Sequence, residues 1–447
     1  MTHRVSLLLA VSLACAGDKD GETGAPLGDL ARIDGVTSEI AAAIPTVVTV
    51  EWETDLTTTG WVEFGVDGAL DHQTSITRSG LQHEVLLLGM PADSEVSYRV
   101  VAETDDGVTE GDVQTVTTGT TPLGLPETTT TGDSAGSYMI LPWLGVSSGI
   151  MILDPQGQLV WWYPDQSGLQ IYRARLSLDG QSIIFNRGSI SGDPSEDSQL
   201  VRVALDGSEE TTVDIPLLAH DFVELEDGTI GAMVIEIRED AEGEEIRGDA
   251  IVEIAPDGTQ TTVWSAWDSW DPEISSGDPG DVGWTFANAL DYDPDDDAWL
   301  LSVRNFSSIV QISRDTGTVD WGLGGVVNDF DVEGTPFLHQ HQFDASEDSI
   351  LVFDNDGLAG NQSRVVEYSF DEDARTASEV WSYVPSPSVY CFVLGDVERI
   401  DGDDRLITWS AVGTIDRVSV AGDLLFQLTT PLGYALGFNS LEPSLYR

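Results

Sequence analysis

A short pattern that returns six times constrains this chain more than any other feature. An alternating strand, a tight Asp or Gly turn and the start of a second strand occur at 149–162, 199–207, 250–258, 308–317, 364–371 and 413–422. Successive copies begin roughly 49 to 58 residues apart, the length of a four-stranded propeller blade. A lone hairpin cannot bury its faces, whereas blades stacked around an axis can, so six copies predict six blades. No stretch sustains the 3.6-residue period of helices, which excludes α/β folds. The expected class is all-β.

Between these copies lies an inner hairpin, at 172–180, 220–228, 288–295, 341–348 and 394–402. When the hairpins are aligned on the turn aspartate, the residue seven positions earlier is Tyr172, His220, Asn288, His341 or Leu394. In a propeller the equivalent point of each blade faces the central channel. The chain has only 6 histidines, so two at equivalent channel positions single out His220 and His341 as candidate chemistry. The competing reading is a pair of hydrogen-bonded channel histidines without chemistry.

Residues 27–120 read differently, as about seven short strands separated by Asp-Gly turns, with Trp52 early and Tyr98 late. This part resembles an immunoglobulin-like sandwich of the fibronectin type III kind, although the usual corner tyrosine is replaced by Val96. His72 and His83 are single histidines in strand or turn contexts and read as structural. A Thr- and Gly-rich linker, 121–137, precedes the propeller at 138–447.

Charge narrows the partners. With 19 basic and 78 acidic residues the net charge is −59, which excludes nucleic acid, whose phosphates demand clustered Lys and Arg. Any Arg or His beside a ligand works against a strongly negative background. No cofactor is expected and no metal, since no Cys pair or His-x-x-x-His helix occurs and Asp-rich turns such as 291–297 lack full EF-hand spacing. Residues 1–15 read as a secretory signal with a short apolar run, far below spanning length. Cys15 follows Ser12-Leu13-Ala14 as in a bacterial lipobox, with Ser12 where Leu is usual. The expectation is cleavage before Cys15, lipidation of that residue, and a flexible tether over 16–26. The protein would then be exported and lipid-anchored in the bacterial cell envelope, touching the membrane only through the lipid.

Several segments together carry a resemblance. They are 336–341 (Pro-Phe-Leu-His-Gln-His), 351–355 (Leu-Val-Phe-Asp-Asn), Ser363-Arg364, 320–325 (Asp-Trp-Gly-Leu-Gly-Gly), 284–288 (Trp-Thr-Phe-Ala-Asn), 302–304 (Ser-Val-Arg) and 395–399 followed by Gly413-Thr414-Ile415. The region from about Ile140 to Tyr446 is similar to the aryl-sulfate sulfotransferase family of six-bladed propellers. The resemblance implies transfer of a sulfo group from a phenolic sulfate to a phenol without a nucleotide donor. A histidine carries the sulfo group covalently while other histidines and an Arg hold the sulfate oxygens. Neutral imidazole is a competent nucleophile near neutral pH, and a guanidinium fork meets oxyanions bidentately. Carried over by position, His341, His220 and Arg364 are the implied catalytic residues, with Asn288, Tyr172, Arg304 and Asn355 lining the substrate site.

Two departures bear on that mechanism. Phe286 stands where the family's Trp-x-His-x-Asn segment has histidine, and no histidine follows His341, so the late last-blade histidine is missing. His341 or His220 must take over as sulfo carrier, or another group such as Cys391, or catalysis has been lost. The alternative to an enzyme is therefore a non-catalytic propeller that binds an anionic or aromatic ligand, or a surface protein partner.

Overall fold

The computed structural model describes residues 30–188, 195–239, 243–274, 283–358, 362–431 and 433–447. The signal segment and tether, with Cys15, lie outside the described residues. The first unit is a seven-stranded β-sandwich organised by one long strand, Val48–Val66. Its first part pairs with Ile33–Ile40 and Gly80–Leu87, and its second with Glu95–Thr104, so one strand serves both sheets. The period-2 pattern sends Val48, Val50, Trp52, Val62 and Phe64 inward to meet Val96, Tyr98 and Val100. His83 stacks on Trp52 at 5.0 Å, and both its ring nitrogens are bonded, to Thr58 and Thr77. That is a structural histidine. His72 lies in the open beside Asp71.

The rest is the six-bladed propeller. Four strands make each of the blades running from Gln170–Leu176 to Glu210–Asp214, from Leu218–Glu224 to Gln260–Ser265, and from Ala287–Asp293 to Val319–Leu323. The fifth blade runs from Phe343–Ser346 to Thr376–Tyr383 and adds Asp331–Glu333 at its rim. The repeated hairpin corresponds to the outer strands of each blade, and the hairpin between copies to the inner ones.

Closure uses both ends of the chain. The first blade takes Tyr138–Gly145, Gly149–Leu153 and Leu159–Pro164 from its own segment, and receives its inner edge from Tyr434–Leu436 and Ser440–Glu442. Thr129–Gly132, in the segment expected to be linker, pairs with Leu424–Thr429 as the outer edge of the last blade. Without these two contributions the ring would expose unpaired sheet edges. The sandwich packs on the outer side of the first two blades, where Ile44, Val47 and Leu88 join Ile140, Ile150 and Ile152 in one core. Thr46 Oγ1 donates to the Val160 carbonyl across the junction at 2.6 Å.

Candidate functional site

Six inner strands start around the channel, and side chains within or just before their first few residues meet there. Tyr172 and His220 approach ring to ring at 5.4 Å, and Tyr172, Leu394 and Phe438 share one apolar cluster. Phe438, on the C-terminal segment, supplies the sixth position that the repeat alignment left open. Its ring lies 6.5 Å from that of His341. The equivalent residues of five blades thus do converge as the alignment implies.

Immediately below them the channel is plugged. Arg173 Nε donates to Asp221 at 3.0 Å and its Nη1 to Asp396 at 3.3 Å and to the Asn439 carbonyl, while the guanidinium lies 5.0 Å over Phe438. Gln342 Nε2 and the Leu290 amide complete the shell of Asp221, at 2.6 and 3.2 Å. Arg173 and Asp221 between them therefore link all six blades. Burial works to raise the Asp221 pKa, but Arg173 and Arg175 hold it below the usual carboxylate range. Asp396, sharing the same guanidinium, is pushed up to about 6 by burial.

Farther along the same strands a cavity of about 350 Å³ is lined by Asp291, Asp344, Glu398 and Glu442 together with Arg175. Burial pushes Glu442 up to about 7 and Glu398 well above its ordinary value. The two mouths of the channel are thus electrically different. Arg173 and Arg447 also line this cavity, so carboxylates and guanidinia alternate there, while the other mouth carries histidines, aromatic rings and Arg304.

At that end His341 is buried, and both its nitrogens are spent. Nδ1 donates to Asn355 Oδ1 at 2.9 Å, and Nε2 accepts the Leu394 amide at 3.0 Å. The Asn355 orientation follows from its amide group, which donates to the Cys391 and Leu394 carbonyls. Leu394 aims its N–H inward from a left-handed backbone (φ 54°). Burial depresses the His341 pKa to about 3, with the Asn355 bond opposing and His220 and Arg304 adding to the shift. His341 is neutral, tautomerically fixed, and without a free lone pair.

His220 differs. It lies between Tyr172 and Phe286, each ring 5.4 Å away, and its Nδ1 is buried without a partner among the described residues. Burial lowers its pKa to about 4, Asp221 opposing and Arg304 reinforcing. Phe286 is held by Asp249, whose carboxylate accepts from Thr285 Oγ1 at 2.5 Å and from the Ala287 amide at 2.7 Å. The Arg304 amide donates to the Phe286 carbonyl at 3.2 Å, and its guanidinium lies 5.6 Å over that ring. Arg304 is partly buried and forms no ion pair among the described residues, and burial lowers its pKa. In so acidic a chain a guanidinium without a direct ion pair retains donors that an oxyanion could use. Asn288 donates to the Gln340 carbonyl at 2.8 Å, and its buried Oδ1 has no partner among the described residues.

Arg364 is not part of this arrangement. Expected as the sulfate clamp beside His341, it is instead buried in its blade, with Nε on Asp354 at 2.7 Å, Nη1 on Glu379 at 3.3 Å and Nη2 on the Thr335 carbonyl at 2.6 Å. Partnered in these directions, its fork does not present a free face to a ligand. Cys391 is also unsuited to be a nucleophile. It is fully buried, Sγ bonds to the Val393 carbonyl, and burial pushes the thiol up to about 12. Trp264 and Trp270 pack against each other, Trp267 packs on Trp284, and Trp270 on Phe306, so these rings pack within the segment 264–270 and against its neighbours.

Sequence reasoning passed over His339, Asp356, Tyr390 and Phe392 at the same mouth. His339 Nδ1 lies 2.9 Å from Asp356 Oδ2, with the imidazole side chain 41% exposed. Arg304 acts electrostatically on Asp356 and Tyr390 as well as on both inner histidines. Phe392, 57% exposed, sits 6.3 Å from the Tyr390 ring. The available signal for His339 was its place two residues before His341.

Fold and site together define a six-bladed β-propeller with a plugged channel, one of whose mouths carries histidines, an unpaired arginine and aromatic rings. The chain belongs to the arylsulfotransferase (ASST) family, whose model matches residues 138–423. No curated protein matches the sequence. Among solved structures it is similar to a protein of unknown function from Bacteroides caccae, at 13% identity and a TM-score of 0.45 over 68% of this chain and 98% of that one. A streptogramin B lyase matches at 13% identity and TM-score 0.39, covering 71% and 98%. Virginiamycin B lyase from Staphylococcus aureus matches at 12% and 0.36, covering 67% and 88%.

Proposed function

We propose that this protein transfers a sulfo group from a phenolic sulfate ester to a phenol at the histidine-lined mouth of the channel. The observation that carries the reading is Arg304, partly buried beside the neutral His220 and in no direct ion pair among the described residues, Asp356 acting on it only at longer range. Arg304 holds the sulfate oxygens, and Phe286, Tyr390 and Phe392 offer aromatic surface for the aryl group. His220, neutral throughout the physiological range, is the imidazole left to attack sulfur, because His341 has no free nitrogen lone pair. His341 and Asn355 then act as a fixed wall that shapes the pocket. The test is phenol-dependent release of nitrophenolate from 4-nitrophenyl sulfate by the protein lacking residues 1–26. No release between about pH 6 and 9 with several acceptors would overturn it.

A second reading has its own support in the occupied lone pair of His341 and the inert Cys391. On that reading the mouth binds aryl sulfates without turning them over, which saturable binding without release would establish. Export and lipid anchoring at Cys15 complete the proposal and rest on the small-residue site before that cysteine. Cys15→Ser should release the protein from membranes, and full retention of the variant would refute the anchor.

A further inference from the structure

We infer that His339 and Asp356 form the acid–base couple of the site, protonating the departing aryl oxygen and then deprotonating the acceptor phenol. This rests on the sulfo-transfer reading above. The geometry is that of an oriented imidazole. Nδ1 is held on the Asp356 carboxylate at 2.9 Å, which leaves Nε2 on the exposed side of a ring whose protonated form would have its counter-charge in contact. Arg304 and Tyr390 both interact with the Asp356 carboxylate, whose hydrogen bond raises the Tyr390 pKa.

The backbone behind the couple is fixed from two sides. His339 takes a left-handed conformation (φ 51°), strained for a residue with a Cβ, and its amide donates to Ser307 Oγ at 3.2 Å. Asp354 Oδ1 accepts the Leu338 amide at 3.0 Å and the Gly357 amide at 2.7 Å, so one carboxylate brackets the residues next to His339 and Asp356. The Asp356 amide donates to the Leu338 carbonyl at 3.1 Å, tying the two segments directly. Arg364 anchors Asp354 through Nε. Arg364 is thus a positioning residue for the couple, two contacts removed from any ligand.

The steps balance. The His220 lone pair forms an S–N bond as the S–O bond to the donor aryl group breaks, and the aryl oxygen takes the Nε2 proton of the His339 imidazolium. The acceptor phenol then gives its proton to His339 Nε2, its oxygen bonds to sulfur, and the S–N bond breaks to restore His220.

The dependence of rate on the leaving group tests this. His339→Gln and Asp356→Asn should lose at least about tenfold more rate on phenyl sulfate than on 4-nitrophenyl sulfate, whose leaving oxide needs no proton. A separate arm needs no turnover. Bound 4-nitrophenol should show phenolate absorption at a pH below its own pKa with the wild-type protein, and lose it with His339→Gln, circular dichroism being unchanged. Equal losses on the two esters, or no phenolate signal on binding, would overturn the couple. Failure of the wild type to release any phenol would refute the sulfo-transfer reading, while the phenolate arm would still decide the base.

Discussion

The proposed site gives the sulfate-holding role expected of Arg364 to Arg304, and a paired substitution separates the two arginines. Arg364→Met removes a guanidinium that is 2% exposed and leaves Asp354, itself fully buried, with two amide donors and no cation. Breaking a buried ion pair from one side costs about 3–5 kcal/mol, and the remaining amides place this case near 3. Glu379 is partly solvated, and it retains the Thr335 amide. Arg304→Met removes no ion pair among the described residues, only the contact over Phe286, worth about 0.5–1 kcal/mol, and a part-buried hydrogen bond to Asn305 Oδ1 at 3.1 Å, and it relieves a desolvated charge. Its stability should therefore change by less than about 1 kcal/mol. For ligand the order reverses. A lost charge-assisted contact to a sulfate is worth about 1.5–3 kcal/mol, so Arg304→Met should weaken aryl-sulfate binding by roughly 10- to 150-fold. Arg364→Met should leave it within about threefold, because it touches no ligand. Urea unfolding followed by Trp fluorescence gives the first pair of numbers, and calorimetric titration with phenyl sulfate gives the second. Strong loss of binding in Arg364→Met with an intact urea midpoint would refute the assignment.

Arg173→Met should destabilise the propeller by about 3–5 kcal/mol at neutral pH in urea unfolding, since Asp221 and Asp396 lose a shared cation. Part of that loss should return on acidification as the orphaned carboxylates protonate, and a penalty that grows on acidification would contradict the plug. His220→Phe probes the depressed imidazole. Below the unfolded pKa of 6.5 the unfolded chain binds the proton and the folded one does not until about 4, so wild-type stability falls with pH through that window. The variant lacks this penalty and should gain about 2 kcal/mol on the wild type between pH 7 and 5, whereas a constant difference would show an ordinary histidine. In a Cys15→Ser background, native Cys391 should resist iodoacetamide and react only on unfolding, and rapid native labelling would contradict its burial.

Blade number and the channel-facing positions were legible because each blade must repeat the same alternation and turn to stack on its neighbours. That periodicity is local, and it survives in one sequence. It also sufficed to bring Tyr172, His220, Asn288, His341 and Leu394 to one end of the channel. Closure was not legible, because Thr129–Gly132 and Ser440–Glu442 pair with strands some 300 residues away and carry no local mark of their partner. The same limit applies to chemistry. Residue type made His341 and Arg364 candidates, but whether a nitrogen lone pair or a guanidinium fork is available depends on who else is hydrogen-bonded to it. The Leu394 amide occupies His341, and Asp354 with the Thr335 carbonyl occupies Arg364. The roles proposed for Arg304 and His339 rest on what the fold places, or fails to place, within hydrogen-bonding distance among the described residues. Sequence determines which groups are present on the inner strands, and only tertiary packing decides which of them still has a bond to make.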